Sequence, residues 1–477
     1  MLHTRWKGVT SLTIEKNKNY VIDISGMTHE AQGVGRLEGL AVFVDGVLEG
    51  ERVEVKIIKL TKSYAVGKLV KLIEPSPHRI EPFCGAYRRC GGCNLQHMDY
   101  RAQLDFKAGL VRDSLKRIGG LTDIVVHDTI GMQHPYQYRN KAQYPVAVID
   151  GSVITGFFAP RSHEVIESDE CGIQDAGSDQ IREIISEFLT SHEIPAYNEK
   201  TGKGLVRHII TRVGFNTGEI MVVLVINGAV LPDAEELVRQ LAEGVHGVSE
   251  ASGGSVVPKV KSIYLNINTE KTNIILGRKN ILLYGSETIM DMIGKYRFMI
   301  SPHSFFQVNP LQTEILYSKA LEYAALTGKE TVFDLYCGIG TISLFLSEQA
   351  GKVYGVEVVE AAIEDARKNA ELNGVKNAEF IAGEAEKVVP EMYSRGICAD
   401  VVLLDPPRKG CEESLLHLLT EMQPQRIVYV SCNPATLARD LKYLCGHGYK
   451  TQEVQPVDMF PWSGHVECVT LMSRIKD

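Results

Sequence analysis

No run of about 18 apolar residues occurs in the chain, so a membrane-spanning helix is not expected. The opening stretch Met1-Leu2-His3-Thr4-Arg5-Trp6-Lys7 lacks a following apolar core of leader length, and a cytoplasmic location is expected. Positive charge is also short. Lys and Arg number 51 against 59 Asp and Glu, for a net charge of −8. Nucleic acid is therefore not attracted by the chain as a whole, and any such binding has to come from local basic surface. Ten cysteines in a long cytosolic chain do not make a disulfide framework and read better as thiols, metal ligands or catalysts. What is present is ordinary for a globular protein: 44% hydrophobic and 23% charged residues. At 477 residues the chain is too long for one core, and two to four domains are expected.

Three regions separate by pattern. Residues 17–75 read as a small all-β module with strands at Tyr20–Ile24, Leu40–Val44, Arg52–Ile58 and Ala65–Val70. Turns at Gly33-Val34-Gly35 and Asp45-Gly46 are expected between them, in a five-stranded barrel of oligonucleotide-binding type. From Arg52 to Lys71 six basic residues (Arg52, Lys56, Lys59, Lys62, Lys68, Lys71) stand against one acid, Glu54. That is either a phosphate-contacting surface or a solubilising outer face. Residues 76–325 read as α+β, with a helix over 99–118 and strands at 146–149, 208–213 and 221–226. From 326 to 477 strands and helices alternate. The apolar runs Thr331–Leu335, Val353–Glu357, Val401–Asp405 and Arg426–Val430 predict parallel strands of a doubly wound, Rossmann-like α/β domain, with its functional residues at their carboxyl ends.

Asp334-Leu335-Tyr336-Cys337-Gly338-Ile339-Gly340-Thr341 fits a nucleotide-cofactor turn, where glycines admit the ligand and the next helix offers N–H groups. Its Asp-x-x-x-Gly-x-Gly spacing leans toward S-adenosylmethionine rather than a dinucleotide. Glu357, ending the next strand, is placed for a ribose diol or for capping the following helix. Asp405-Pro406-Pro407 makes a rigid extended turn that projects Asp405 into the crevice. Arg408 follows where amino-group methyltransferases often carry an aromatic residue, which argues against an exocyclic nitrogen acceptor.

Cys432, in Val430-Ser431-Cys432-Asn433-Pro434, follows a buried strand and reads as a nucleophile. C5 of uracil needs one: a thiolate adding at C6 makes C5 nucleophilic enough to take a methyl group, and a base then removes the C5 proton. Glu467 is the first choice for that base, with His465 its competitor by intrinsic pKa. Cys84-x5-Cys90-x2-Cys93, with Cys171 as the leading fourth ligand, suits either tetrahedral zinc or an iron–sulfur cluster, the spacing leaning to the cluster. His97 is a possible zinc ligand but reads better as a surface residue.

With these motifs assembled, the chain resembles the RNA uracil-5-methyltransferase family, and within it the 23S ribosomal RNA branch that carries a [4Fe-4S] cluster. The likeness implies that the N-terminal module is a TRAM barrel and that Cys84, Cys90, Cys93 and Cys171 are the cluster ligands. Tyr138-Arg139-Asn140-Lys141, Gly156-Phe157-Phe158 and Ser162-His163 resemble central-domain segments near the RNA. Phe305-Phe306-Gln307-Val308-Asn309 matches the signature before the catalytic domain, implying cofactor contacts at Gln307, Tyr336, Glu357 and Asp405. Ser431-Cys432-Asn433-Pro434 and His465-Val466-Glu467 match the nucleophile and base motifs. The implied partner is 23S ribosomal RNA or an assembling large ribosomal subunit, with no membrane and no obligate protein partner. Two other functions compete: a tRNA enzyme of identical chemistry, and a non-catalytic RNA-binding assembly factor. A nicotinamide dehydrogenase would leave Cys432 and Asp405-Pro406-Pro407 without a role.

Overall fold

A computed structural model describes residues 14–245 and 257–475, in two compact units. The first runs to Arg88 and includes Cys93–Gln103 and Trp462–Gly464. Its strands β1 (Asn19–Met27), β2 (Gly33–Leu37), β3 (Leu40–Val44), β4 (Arg52–Leu60) and β5 (Tyr64–Glu74) close into a barrel in the order β1-β2-β3-β5-β4. Alternation explains the inside: Val53, Val55 and Ile57 of β4 are buried, while Arg52, Lys56 and Ile58 point out.

The segment Gly33-Val34-Gly35, expected as a turn, is strand β2. A side chain at Gly33 would lie 2.3 Å from a Val47 methyl, and one at Gly35 would lie 2.8 Å from the Asp23 carbonyl. Glycine is needed here for close strand approach, not for turning. The barrel exit is clasped by fully buried Glu51, which accepts from Arg79 and from the Ser76 and Leu48 amides. Arg79 and these amides hold Glu51 below the usual carboxylate range against the effect of its burial. His97, expected at the surface, is buried at 2% exposure and bonded to the Tyr87 hydroxyl. Its burial lowers its pKa to about 4.

The second unit holds two sheets. The expected helix over 99–118 appears as α1 (Tyr100–Ser114) continued by a π-helical turn, Leu115–Gly119, which Gly120 closes in the left-handed region. A short strand β6 (Val125–Val126) follows. Then β7 (Lys141–Ile149), β8 (Ser152–Phe158), β9 (Val165–Glu167), β10 (Val206–Val213), β11 (Glu219–Ile226), β12 (Lys259–Ile267) and β13 (Lys279–Gly285) form a seven-stranded sheet in the order β13-β12-β11-β10-β7-β8-β9. Helices α2 (Ala176–Ser191) and α3 (Ala234–Gly244) bury Ile181, Ile185, Phe188, Leu237 and Leu241 against it.

After a hairpin, β14 (Ile289–Ile293) and β15 (Tyr296–Ile300), the alternating region begins with α4 (Pro310–Ala324). It continues β16 (Thr331–Leu335), α5 (Thr341–Ser347), β17 (Lys352–Glu357), α6 (Glu360–Leu372), β18 (Ala378–Ala382), α7 (Ala385–Ser394), β19 (Val401–Leu404), α8 (Glu413–Met422), β20 (Arg426–Ser431), α9 (Pro434–Cys445), β21 (Tyr449–Val457) and β22 (Glu467–Arg474). The sheet order is β18-β17-β16-β19-β20-β22-β21-β6. Strands β16 to β20 are parallel, and β22 runs antiparallel between β20 and β21. Because β16 pairs with both β17 and β19, the order reverses there and leaves a crevice beyond its carboxyl end.

Candidate active site

That crevice is a cavity of about 920 Å³, and all six residues expected to serve the nucleophile, base and cofactor roles line it: Gln307, Tyr336, Glu357, Asp405, Cys432 and Glu467. Each reaches it from a strand end or an adjoining turn. Strand β16 delivers Asp334, buried among apolar strands, and then Tyr336, a non-glycine residue at φ +70. Gly338 also has positive φ, and a side-chain carbon there would meet nothing within 4 Å. The backbone is therefore bare toward the space a ligand would fill. Glu357 ends β17 and accepts from the Gly338 amide at 3.3 Å and the Val359 amide at 2.9 Å. It thus both caps the next turn and braces the glycine loop.

Cys432 and Glu467 meet through strand register. In the antiparallel pair β20–β22, Ser431 lies opposite Cys468. The next residue along one strand is Cys432, and the preceding residue on the other is Glu467. Asn433 caps α9 by accepting from the Ala435 amide, its own side chain donates to the Arg408 carbonyl, and Pro434 fills the first helical turn. The thiol therefore stands just ahead of a helix N-terminus, which favours its anion.

Negative charge is crowded here. Burial, then the charges of Glu467 and Asp405, push the Cys432 thiol up to about 11, with Arg408 opposing. Glu467 is 5% exposed, and burial with the Asp405 charge holds it well above the usual carboxylate range. Burial raises Asp405 to about 7, helped by Asp334. Asp334 reaches about 7 for the same first reason, although its Oδ2 accepts from the Ser343 hydroxyl. Among the described residues its Oδ1 is buried without a hydrogen-bond partner. A cavity with a bare glycine loop, a strand-end carboxylate and a set of under-compensated acids fits a nucleoside carrying a positive centre, as S-adenosylmethionine does.

Sequence reasoning passed over several cavity neighbours. Phe305 sits in the motif that pointed to Gln307, yet it is 69% exposed and lines the opening. Tyr317 of α4 is buried and shares a 3.0 Å hydrogen bond with Thr341; an amphipathic pattern cannot tell such a tyrosine from core. His465, which the sequence did single out as the competing base, also lines the cavity, 6.0 Å ring to ring from Phe460. The cysteine set is different. Cys84, Cys90, Cys93 and Cys171 are all half-buried, and among the described residues no three His, Cys, Asp or Glu side chains come together as a metal site.

Comparison with known proteins adds a family context. A family model described as tRNA (uracil-5-)-methyltransferase matches residues 259–475, and a TRAM domain model matches residues 15–70. The chain is 51% identical over 466 residues to a protein of Clostridium tetani described as an uncharacterized RNA methyltransferase, covering 98% of both. A Bacillus cereus protein of the same description is 50% identical over 469 residues, covering 98% of this chain and 99% of its own. The solved tRNA (uracil-54, C5)-methyltransferase of Pyrococcus abyssi, in complex with S-adenosyl-L-homocysteine, superimposes with a TM-score of 0.74 at 29% identity. That match covers 94% of this chain and 99% of the other.

Proposed function

The chain belongs to the S-adenosylmethionine-dependent RNA uracil-5-methyltransferase family, with a TRAM domain ahead of its catalytic region, and from this premise we propose that it methylates C5 of uridine in 23S ribosomal RNA. The observation that supports the chemistry is that Cys432 and Glu467, on neighbouring strands, line one cavity with Gln307, Tyr336, Glu357 and Asp405.

When bound, S-adenosylmethionine supplies an electrophilic methyl group on a sulfonium. In the reaction we assign, the Cys432 thiolate adds to C6 of the uracil, and the electron pair of the C5–C6 double bond makes C5 the nucleophile toward that methyl. As the methyl passes to C5 its bond to the sulfonium breaks and S-adenosylhomocysteine leaves; Glu467 then takes the C5 proton, the ring double bond re-forms, and the C6–sulfur bond breaks to return the thiolate. Gln307, Tyr336, Glu357 and Asp405 would hold the cofactor, and His465 is the alternative base.

The ribosomal substrate and a [4Fe-4S] cluster on Cys84, Cys90, Cys93 and Cys171, which rest on the family resemblance, and the division at 17–75, 76–325 and 326–477, a cytoplasmic location and the lack of an obligate protein partner are part of the same proposal. No catalytic step runs through the cluster. Iron and sulfide analysis of protein purified without oxygen tests it, and absence of both would remove it. A tRNA substrate is the second reading, favoured by the Pyrococcus abyssi enzyme. Mapping 5-methyluridine in RNA from a deletion strain separates the two: loss from 23S RNA is expected, and loss from tRNA alone would select the second.

A further inference from the structure

Helix α9 grips the loop that follows Asp405. Asp440, in its second turn, is fully buried and accepts three hydrogen bonds: from the Tyr429 hydroxyl at 2.6 Å, the Cys411 amide at 2.9 Å and Arg439 Nε at 2.7 Å. Arg439 also donates Nη2 to the carbonyls of Lys409 and Cys411, at 3.0 and 3.2 Å. One turn earlier, Asn433 Nδ2 and Thr436 Oγ1 both donate to the Arg408 carbonyl, at 3.1 and 3.2 Å. Thr436, Arg439 and Asp440 stand at i, i+3 and i+4, on one face of the helix. Gly410 turns the loop at φ +77, and a side-chain carbon there would lie 2.6 Å from both Arg439 Nη2 and Asp440 Oδ2. Every residue from Arg408 to Cys411 is thus bonded to this helix or packed against it.

Stability alone does not call for this arrangement. A buried carboxylate held by an arginine adds little over an apolar pair of the same shape, and what it fixes is geometry. The geometry concerns the nucleophile, because Cys432 directly precedes Asn433, the N-cap of the same helix. The gripped loop brings two cations to the cavity, Arg408 and Lys409. Lys409 is paired with Glu412 at 2.6 Å, whereas Arg408 is in no ion pair among the described residues. The charge of Arg408 opposes the upward push of burial on both the Cys432 thiol and the Glu467 carboxyl. Its side chain is exposed, so its distance from the thiol is set by how firmly its backbone is held.

We propose that Arg439 and Asp440 are positioning residues for the methyl transfer: they register the 405–412 loop against the helix that follows the nucleophile, so that the Arg408 guanidinium faces Cys432 and stabilises its thiolate for attack on the uracil ring. The inference deepens the uracil-methylating reading and rests on it for the role of Cys432. Neither Arg439 nor Asp440 lines the cavity, so their influence passes through the loop.

The test follows alkylation of Cys432 by iodoacetamide at about pH 8.5, read by mass spectrometry of its peptide, in full-length protein without RNA or S-adenosylmethionine. Below the thiol's pKa of about 11 this rate tracks the thiolate fraction. Arg439→Met should slow it roughly three- to tenfold, and Arg408→Met by a similar factor. The two substitutions together should be no slower than Arg408→Met alone, because the helix acts through that guanidinium. Arg439→Lys keeps the charge without the fork and should stay slow. The parent rate in Arg439→Met or in Arg439→Lys, or a double variant slowed by the product of the two single factors, would overturn the proposal. Should Arg439→Met not fold, Thr436→Val decides: it removes one hydroxyl bond to the Arg408 carbonyl and leaves the ion pair, so slower alkylation supports the positioning and the parent rate overturns it. The readout needs no turnover. If the coupling holds while the parent protein methylates no RNA, the catalytic reading fails and the positioning stands; if the parent protein methylates RNA and the variants alkylate at its rate, the positioning alone fails.

Discussion

At the scale of single residues the cavity sets a conflict: a thiol that must ionise sits among carboxylates that resist ionising. Cys432, pushed up to about 11 by burial and then by the charges of Glu467 and Asp405, is a poor thiolate source, and the pocket suits a ligand that brings positive charge. The sign follows from the acids. Burial raises Asp405, which lines the cavity, and fully buried Asp334, which does not, to about 7, so both are largely neutral below that pH and negative above it, and Asp405 is the one a ligand meets. Affinity for S-adenosylmethionine should therefore tighten, roughly three- to tenfold, between about pH 6 and pH 8. S-adenosylhomocysteine, whose sulfur is uncharged, should change less, and parallel profiles by calorimetry would mean Asp405 does not face the sulfonium. Cys432→Ala should abolish methylation with cofactor binding near the parent value, and a residual rate within about tenfold would remove it as nucleophile. Glu467→Gln should still transfer the methyl group yet accumulate a protein–RNA adduct visible on a denaturing gel; without one, His465 or water is the base. Cys432 and Glu467 could be picked out in the sequence because each follows or opens an apolar strand inside a polar motif. Asp334 was legible as the first residue of the glycine motif, though not as an acid with a raised pKa; Tyr317 could not be picked out, since a tyrosine on a helix looks like core until its surroundings are known.

Elements explain which expectations survived. The continuous apolar strands of the catalytic region were legible because a parallel strand buried on both faces has few polar residues to confuse its bounds. Strand β2 was not, because its two glycines signal a turn in sequence but serve close packing in a closed barrel. The topology of the seven-stranded sheet lies in long-range pairings, such as parallel β11 with β12, that no local pattern encodes. One long-range contact ties an element directly to the site. Lys107 of α1 and Asp458, just after β21, form an ion pair with both side chains at 0% exposure, and Lys107 also donates to the Phe460 carbonyl at 3.0 Å. Phe460 lines the cavity. Lys107→Met strands a buried carboxylate and should cost about 3–5 kcal/mol by denaturant unfolding, with activity falling as the 458–461 loop loosens. Adding Asp458→Leu should return most of the stability, since the isolated charge is then gone. If the single variant unfolds like the parent protein, the pair does not hold this loop.

For the whole molecule the question is how a chain of net charge −8 holds a polyanion. The barrel offers one answer. Arg52, Lys56, Lys59, Lys62, Lys68 and Lys71 are all exposed, and Lys56 stands directly opposite Lys68 across β4 and β5. Opposed like charges weaken a sheet, which favours a phosphate-contacting surface over a merely solubilising one. Some of this charge is already engaged: Lys59 donates to the Tyr64 hydroxyl at 3.1 Å, and Arg52 lies 3.8 Å from Asp23. Lys56 and Lys62 have no ion pair among the described residues and should carry most of the effect. Replacing Lys56, Lys59 and Lys62 together by Gln removes three charges without altering the buried face of β4 and relieves the Lys56–Lys68 repulsion, so the melting temperature should hold or rise. RNA affinity should fall, and the log–log salt slope should drop by roughly 0.7–0.9 for each phosphate no longer neutralised, giving roughly 2.1–2.7 for the triple variant if all three lysines meet the backbone. A drop of about 1.5 would leave Lys59 on Tyr64, where its hydrogen bond already holds it. A slope equal to that of the parent protein would mean that this face never meets the backbone, and the long-range attraction would then have to come from basic residues of the second unit.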